Sequence, residues 1–165
     1  MFFGTYYHQV DDRGRIRIPP ALKDGLGSDF CFVCGIDGIL NIYPRKAIEE
    51  QYKKLNEKMS AFNEEDQAAL LDYSSRIAPA IEDKQGRVTI PSTFIEFAHL
   101  EKDVCSVGMG EYISIMSKDF KPKAAKTHSE NLAHIATIDF VNNKEIILVW
   151  MVGCFLTESI KNAIF

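Results

Sequence analysis

Short stretches of the chain alternate apolar and polar residues with a period of two, which is typical of a β-strand with one buried face. Ile16 and Ile18 alternate with Arg15 and Arg17, so the isoleucines would face a core and the arginines the opposite side. Residues 87–90 repeat this alternation, and a proline after each stretch ends the strand. We predict a short helix after each stretch, at residues 21–24 and 93–100. Two more strands should follow each helix, at residues 30–35 and 39–43 after the first helix and at residues 104–108 and 112–116 after the second.

Between these regions the apolar period changes to 3.6, which indicates amphipathic helices. Pro44 suits the first turn of a helix, and four apolar residues follow it at helical spacing: Ile48, Tyr52, Leu55 and Met59. Asn63 precedes three acids, a pattern that favours a second helix start, and this helix is predicted to end near Pro79. A weaker helical pattern covers residues 122–136. The pattern as a whole predicts a mixed α+β protein.

A nine-residue motif occurs twice, 72 positions apart, at residues 11–19 and 83–91, with five of the nine residues identical. Each copy contains Asp-x-x-Gly, in which the aspartate accepts backbone N–H groups and the glycine adopts the positive φ that closes a hairpin turn. The duplication predicts two related halves. We assign structural roles in two equivalent turns to Asp11, Gly14, Asp83 and Gly86.

The chain as a whole is acidic, with 19 Lys and Arg against 23 Asp and Glu and a formal net charge of -4. This excludes a generally basic nucleic-acid coat protein, so any anion-binding surface is local. Residues 13–23 fit such a surface, because they include four cations and no acid. Cationic side chains bind phosphates, and arginine also recognises guanine. The candidate DNA-binding residues are Arg13, Arg15, Arg17, Lys23, Lys84 and Arg87.

A structural role is the alternative for one arginine in each copy. Arg15 lies four residues after Asp11, and the second copy repeats this spacing, so each arginine can pair with its aspartate and hold the turn. The second copy also has fewer cations, because Gln85 and Thr89 replace two arginines of the first. We therefore expect the first half to contact DNA and the second half mainly to build the fold.

The residues point to no enzyme, no cofactor and no metal site. Cys31 and Cys34 have C-x-x-C spacing, but on a strand they point to opposite faces, and no helix start follows to activate a thiol. Four cysteines are too few for a disulfide scaffold, and the chain opens without a signal-peptide pattern, so we expect a cytoplasmic protein. Residues 146–156 are apolar but shorter than the ~20 residues of a membrane span, so no membrane partner is expected.

The chain resembles the MraZ proteins, bacterial regulators of the division and cell-wall gene cluster. The resemblance covers about residues 1–140. It depends on the Met-Phe-x-Gly opening, the doubled Asp-x-x-Gly-Arg-x-x-x-Pro motif, the two helices between the copies, and the pairs Val107-Gly108 and Ile113-Ser-Ile-Met116. Where the family usually has arginine four residues after the motif proline, this chain has Lys23 and Ile95.

What the resemblance implies is a pseudo-symmetric double-split β-barrel made of two halves, each with a hairpin, a helix and further strands. The halves would be residues 1–43 and 80–117, with a helix pair inserted at residues 44–79 and a C-terminal helical extension at residues 118–140. Residues 141–165 form an apolar tail without a counterpart in the resemblance.

For function, the resemblance implies a sequence-specific, DNA-binding transcriptional regulator. Such a protein would bind short direct repeats in its own promoter as a ring of subunits, in the cytoplasm and on the nucleoid. Its partners would be double-stranded promoter DNA and further copies of itself. The alternative is a structural or antitoxin-like interaction module on the same barrel, in which Trp150 and the apolar tail dock a partner. Arg15→Ala separates the two, because a regulator would lose promoter binding and keep its assembly.

Overall fold

The structure is a computed structural model that describes residues 1–123, 127 and 129–135. The chain divides into two units, Met1–Lys121 and Pro122–Phe165. All strands and the four helices named below belong to the first unit. The apolar tail, with Trp150, lies outside the described residues, so its expected role stays a prediction.

In the second unit, residues 129–135 are helical. The Glu130 carboxylate accepts the Thr127 backbone N–H at 2.8 Å, and Thr127 Oγ1 accepts the Glu130 N–H at 3.4 Å, which is a capping box at the start of this helix. The prediction of a helix that starts near residue 122 is wrong at its start, because residues 118–123 are not helical. The extent of the extension at residues 118–140 stays a prediction.

Eight strands build the first unit. In chain order they are β1 (Thr5–Gln9), β2 (Arg15–Ile16), β3 (Phe30–Cys34), β4 (Leu40–Pro44), β5 (Ile77–Ala80), β6 (Val88–Thr89), β7 (Asp103–Gly108) and β8 (Ile113–Ser117). Six of them form one antiparallel sheet in the order β1-β7-β8-β4-β3-β5, and β2 pairs with β6 in a separate two-stranded ribbon. The larger sheet is not closed, because β1 and β5 are its two edges. The fold is therefore α+β, as predicted.

Most strand pairs join one half of the sequence to the other. β1 pairs with β7, β5 with β3, β4 with β8 and β2 with β6. In the ribbon, Ile16 lies opposite Val88, and these two residues are also equivalent in the sequence repeat. The ribbon is thus pseudo-symmetric about this pair, and the two halves interlock instead of folding side by side.

Four short helices complete the unit: α1 (Pro20–Leu26), α2 (Arg45–Asn56), α3 (Glu64–Ser75) and α4 (Ser92–Phe97). Helix α1 extends two residues beyond the predicted end at residue 24, because Gly27, with φ 76°, is the residue that ends it and donates its N–H to the Lys23 carbonyl. The start of α3 is confirmed, since Asn63 Oδ1 accepts the N–H groups of Glu65 and Asp66.

The prediction that the second inserted helix runs to Pro79 is wrong. Helix α3 ends at Ser75, and residues 77–80 form β5, which pairs with β3. Pro79 has no N–H to donate, and it is accommodated because β5 is an edge of the sheet. The inserted segment therefore contains two helices and a strand, and the strands of the second half begin at residue 77 instead of 80.

The ribbon and the sheet enclose one hydrophobic core. Ile16, Ile18, Val88 and Ile90 are all at most 3% exposed, which confirms the alternation predicted for the two motif strands. The core-facing residues of α1, α4 and the sheet join them in the same cluster: Leu22, Leu26, Phe94, Phe30, Phe32, Leu40, Ile42, Ile113 and Ile115. Burial of these side chains therefore fixes the opposite face of the ribbon toward solvent.

Candidate nucleic-acid interface

The first ribbon turn is organised around the Asp11 carboxylate. Asp11 Oδ1 accepts the backbone N–H groups of Arg13 and Arg15, both at 2.9 Å. Asp11 Oδ2 accepts the Arg15 guanidinium, with Nε at 2.7 Å and an Nη at 2.6 Å. The Gly14 N–H donates to the Asp11 carbonyl at 2.9 Å and closes the turn. The ion pair that the sequence left as an alternative for Arg15 is therefore present.

The second turn repeats this arrangement around Asp83. Its Oδ1 accepts the N–H groups of Gln85 and Arg87 at 2.8 and 2.9 Å, and its Oδ2 accepts the Arg87 guanidinium at 2.8 and 2.7 Å. The Gly86 N–H donates to the Asp83 carbonyl at 3.0 Å. The two copies of the motif thus form two turns of the same geometry, as the duplication implies.

The two motif glycines occupy the left-handed region that their turns require. Gly14 has φ 70° and Gly86 has φ 72°. Their surroundings differ, because a Cβ at residue 14 would lie 2.8 Å from Ile95 Cδ1, whereas a Cβ at residue 86 would meet only Glu82 Oε1, at 3.6 Å. The first turn is therefore packed more tightly against the body of the protein.

These hydrogen bonds stabilise the ionised form of each aspartate. Hydrogen bonds from the Arg15 side chain and backbone lower the pKa of Asp11 to about 2. The backbone and then the side chain of Arg87 do the same for Asp83, whose pKa is also about 2. The Asp11 hydrogen bond in turn raises the pKa of Arg15. Each guanidinium is thereby held in one orientation, while its remaining N–H groups stay available for an anion.

The outer face of the ribbon brings the arginines of both halves together. Arg15 lies opposite Thr89, and the same antiparallel register places Arg17 opposite Arg87, one alternation further along. An Arg17 Nη donates to the Gln85 carbonyl at 3.0 Å, so the end of β2 contacts the second turn. Arg17 and Thr89 are exposed, whereas Arg15 and Arg87 are partly covered.

The turn tips add two exposed cations, Arg13 and Lys84, next to the exposed acid Asp12. Arg13, Arg15, Arg17, Lys84 and Arg87 together give the ribbon and its turns five cations, against the three acids Asp11, Asp12 and Asp83. The surface is therefore locally cationic on a chain of net charge -4. We call these eight residues the ribbon surface.

Lys23 stands apart from the ribbon surface. Its Nζ pairs with Glu82 Oε2 at 2.6 Å and lies 5.1 Å from the centre of the Phe30 ring. At the pseudo-equivalent positions, Ile95 replaces Lys23 and Val10 replaces Glu82; Val10 belongs to the hydrophobic cluster and Ile95 packs against it. The structure thus gives Lys23 a partner within the fold that the basic segment of the sequence does not reveal.

Two contacts of the ribbon were not predicted from the sequence. One is the hydrogen bond that Arg17 donates to the Gln85 backbone carbonyl, and the other is the pairing of Thr89 with Arg15 across the ribbon. The signal that could have found both is the repeat itself. If two equivalent strands pair antiparallel about the Ile16–Val88 position, then the end of each strand must meet the turn of the other.

Other types of site find little support in the part of the chain that the structure describes. No group of His, Cys, Asp and Glu side chains there is arranged to hold a metal ion. Burial raises the pKa of the Cys31 thiol and of the Cys34 thiol, which disfavours the reactive thiolate. Among the same residues, no helix has the length and apolar character needed to cross a membrane.

Comparison with known proteins gives consistent matches over most of the chain. A family model described as "MraZ protein, putative antitoxin-like" matches residues 1–72 and 81–143. The protein named transcriptional regulator MraZ of Heliobacterium modesticaldum is 37% identical over 137 residues, which is 79% of this chain and 93% of that relative. The one of Clostridium acetobutylicum is 37% identical over 122 residues, 72% and 83% of the two chains. The one of Pelotomaculum thermopropionicum is 36% identical over 135 residues, 79% and 92%.

Proposed function

The chain belongs to the MraZ family, and from this premise we propose that it is a sequence-specific transcriptional regulator that binds double-stranded DNA through the ribbon surface. The names of its relatives support transcriptional regulation. The DNA would be the promoter of its own division and cell-wall gene cluster, at short direct repeats. Such a protein would act on the nucleoid, in the cytoplasm.

The observation that carries this proposal is the concentration of guanidinium groups on one face of a two-stranded ribbon. The major groove of DNA admits a ribbon of this kind, and arginines on its outer face reach phosphates and base edges. Arg17 and Arg13 are the most accessible of these groups, because both are exposed. Arg15 and Arg87 present the N–H groups that their aspartates leave unused, and Lys84 supplies a phosphate contact at the second tip.

Lys23 would have a smaller part in DNA binding. Its ammonium group is already paired with Glu82 at 2.6 Å and partly covered, so a phosphate would have to compete with that carboxylate. We propose that Lys23 contributes least of the six candidate cations, because Glu82 neutralises its charge.

The fold and the assembly belong to the same proposal. We infer that the six-stranded sheet and the β2–β6 ribbon together form the double-split β-barrel that the resemblance implies, since both wrap one core and interlock the halves. One ribbon surface has few cations and would bind DNA weakly. Several copies in a ring would bind successive repeats, and the high effective concentration would strengthen binding by orders of magnitude.

The test is a titration of the purified protein into a fluorescent duplex from upstream of its gene, at two salt concentrations. Replacing both Arg13 and Arg17 by alanine should weaken binding about 100-fold, because each arginine contact contributes about 1–3 kcal/mol. The slope of log affinity against log salt should also decrease by about 0.9 for each phosphate contact that is lost.

A matched control removes two exposed cations from α2 by replacing Lys53 and Lys54 with alanine. This control should change the affinity less than about threefold, since neither lysine belongs to the ribbon surface. Light scattering should give one assembly mass for all three proteins. Equal losses in both double variants would contradict the ribbon surface as the binding site. A wild type that assembles but ignores DNA at low salt would favour the interaction-module alternative.

A further inference from the structure

The tips of the two ribbon turns carry different side chains in the same backbone setting. The Arg13 N–H donates to Asp11 Oδ1 at 2.9 Å, and the Gln85 N–H donates to Asp83 Oδ1 at 2.8 Å. Both residues immediately precede the motif glycine, and both are exposed. The ribbon therefore presents a guanidinium at one end and a carboxamide at the equivalent position of the other end.

These two groups prefer different bases. In the major groove, arginine donates two hydrogen bonds to O6 and N7 of guanine, whereas a glutamine amide donates to N7 and accepts from N6 of adenine. Glutamine has no charge, so it has little to gain from a phosphate compared with arginine or lysine. Lys84, the residue before Gln85, is available for the phosphate instead.

The ribbon fixes the distance between the tips. The Ile90 N–H donates to the Gly14 carbonyl at 2.9 Å, and Arg17 donates to the Gln85 carbonyl at 3.0 Å, so the two turns lie at opposite ends of the ribbon. In this register Arg13 and Gln85 are six residue steps apart along the strands. Six steps span about 20 Å, which equals about six base pairs at 3.4 Å per pair.

We propose, on the basis of the function proposed above, that Arg13 recognises a guanine and Gln85 recognises an adenine about six base pairs away in each repeat. The duplicated fold thus binds a sequence that lacks the twofold symmetry of its own backbone. The Arg17 hydrogen bond to the Gln85 carbonyl keeps the second tip in place while its side chain contacts the base. The order of the two bases gives the protein a direction on the DNA, which suits direct repeats.

The experiment selects preferred duplexes from a random-sequence pool with the wild type and with the variants Gln85→Arg and Arg13→Gln. In the wild-type consensus we expect a guanine and an adenine at this separation. Gln85→Arg should change only the adenine to guanine, and Arg13→Gln should change only the guanine to adenine. Each variant should then prefer its new duplex over the old one by at least about tenfold. Gln67→Arg, an exposed change on α3, is the control and should leave the consensus unchanged.

The possible failures are distinguishable. If Gln85→Arg strengthens binding to every duplex equally, then residue 85 lies against phosphate and the assignment of Gln85 is wrong, although the proposed function stands. If Arg13→Gln weakens all duplexes equally, the same holds for Arg13. If the wild type selects no sequence at all, the proposed function itself fails. Circular dichroism and the melting temperature establish that each variant is folded before selection.

Discussion

The turn at residues 11–14 and the turn at residues 83–86 are closed by the same set of hydrogen bonds, yet they present different surfaces. In both, an aspartate binds two backbone N–H groups and one guanidinium. Outside this set, Arg13 and Arg17 of the first half correspond to Gln85 and Thr89 of the second. The comparison shows that the hydrogen bonds fix the backbone and leave the outward residues free to differ, so one half can specialise in binding.

Two pseudo-equivalent pairs of residues, each with one member from either half, also differ. Lys23 and Glu82 form an ion pair, whereas the residues at the equivalent positions, Ile95 and Val10, pack against or within the hydrophobic cluster. One flank of the ribbon therefore has a charged pair, and the pseudo-equivalent flank is apolar. The four predictions below test how far the two halves are interchangeable.

The largest difference is expected for the motif glycines. Gly14→Ala should lower the free energy of unfolding by about 2 kcal/mol, since a left-handed alanine costs about 1–2 kcal/mol and its Cβ would also crowd Ile95 Cδ1 at 2.8 Å. Gly86→Ala should cost about 1 kcal/mol, from the conformational cost alone. Urea denaturation of both variants measures the difference, and a larger loss at Gly86 would contradict it.

Exchange of the outward residues should change the DNA affinity. Arg17→Ala should weaken duplex binding about tenfold, and Thr89→Arg should strengthen it by a similar factor, because each adds or removes one guanidinium contact. Thr89→Gln is the matched control, which lengthens the side chain without adding charge. Fluorescence anisotropy measures all three affinities. If Thr89→Arg has no effect, the second strand does not approach the DNA backbone.

The charged pair at the flank should show a modest coupling energy. Lys23→Ile and Glu82→Val together introduce the residues of the pseudo-equivalent positions, and the double variant should be more stable than the two single losses predict, by about 0.5–1 kcal/mol. The reason is that each single change leaves a half-buried charge without its partner. A double-mutant cycle by urea denaturation gives this energy, and additive losses would show that the pair contributes nothing.

The smallest effect is expected from the pH dependence of the two turns. Asp11 and Asp83 have a pKa of about 2 in the folded protein, below their usual value of 3.8. Their contribution to stability is therefore complete above pH 4 and is lost as the pH falls from about 4 toward 2. The free energy of unfolding should therefore decrease less over this range in each of the variants Asp11→Asn and Asp83→Asn than in the wild type, by a similar amount in both. Urea midpoints at pH 5, 4 and 3 measure it, with Asp12→Asn as the exposed control.

Local sequence determined the elements that depend on neighbouring residues. The alternation of Ile16 and Ile18 with arginines predicted the buried and exposed faces of β2, and Asp-x-x-Gly predicted both turns, because an aspartate and a glycine at this spacing satisfy the turn's own N–H groups. The motif residues of the candidate interface were found for the same reason. Whether they bind DNA stays a prediction.

Tertiary structure decided what depends on residues distant in the chain. The helical pattern of the sequence continues past Ser75, but the residues that follow form β5. They form a strand because they pair with the edge of β3, and local periodicity gives no information about this pairing. In the same way, Lys23 pairs with Glu82, which lies 59 positions away, and Arg17 donates to the Gln85 carbonyl, which lies 68 positions away. Composition and spacing determine which charged and polar groups each turn and strand contains. The antiparallel pairing of two distant halves determines which of those groups contact each other.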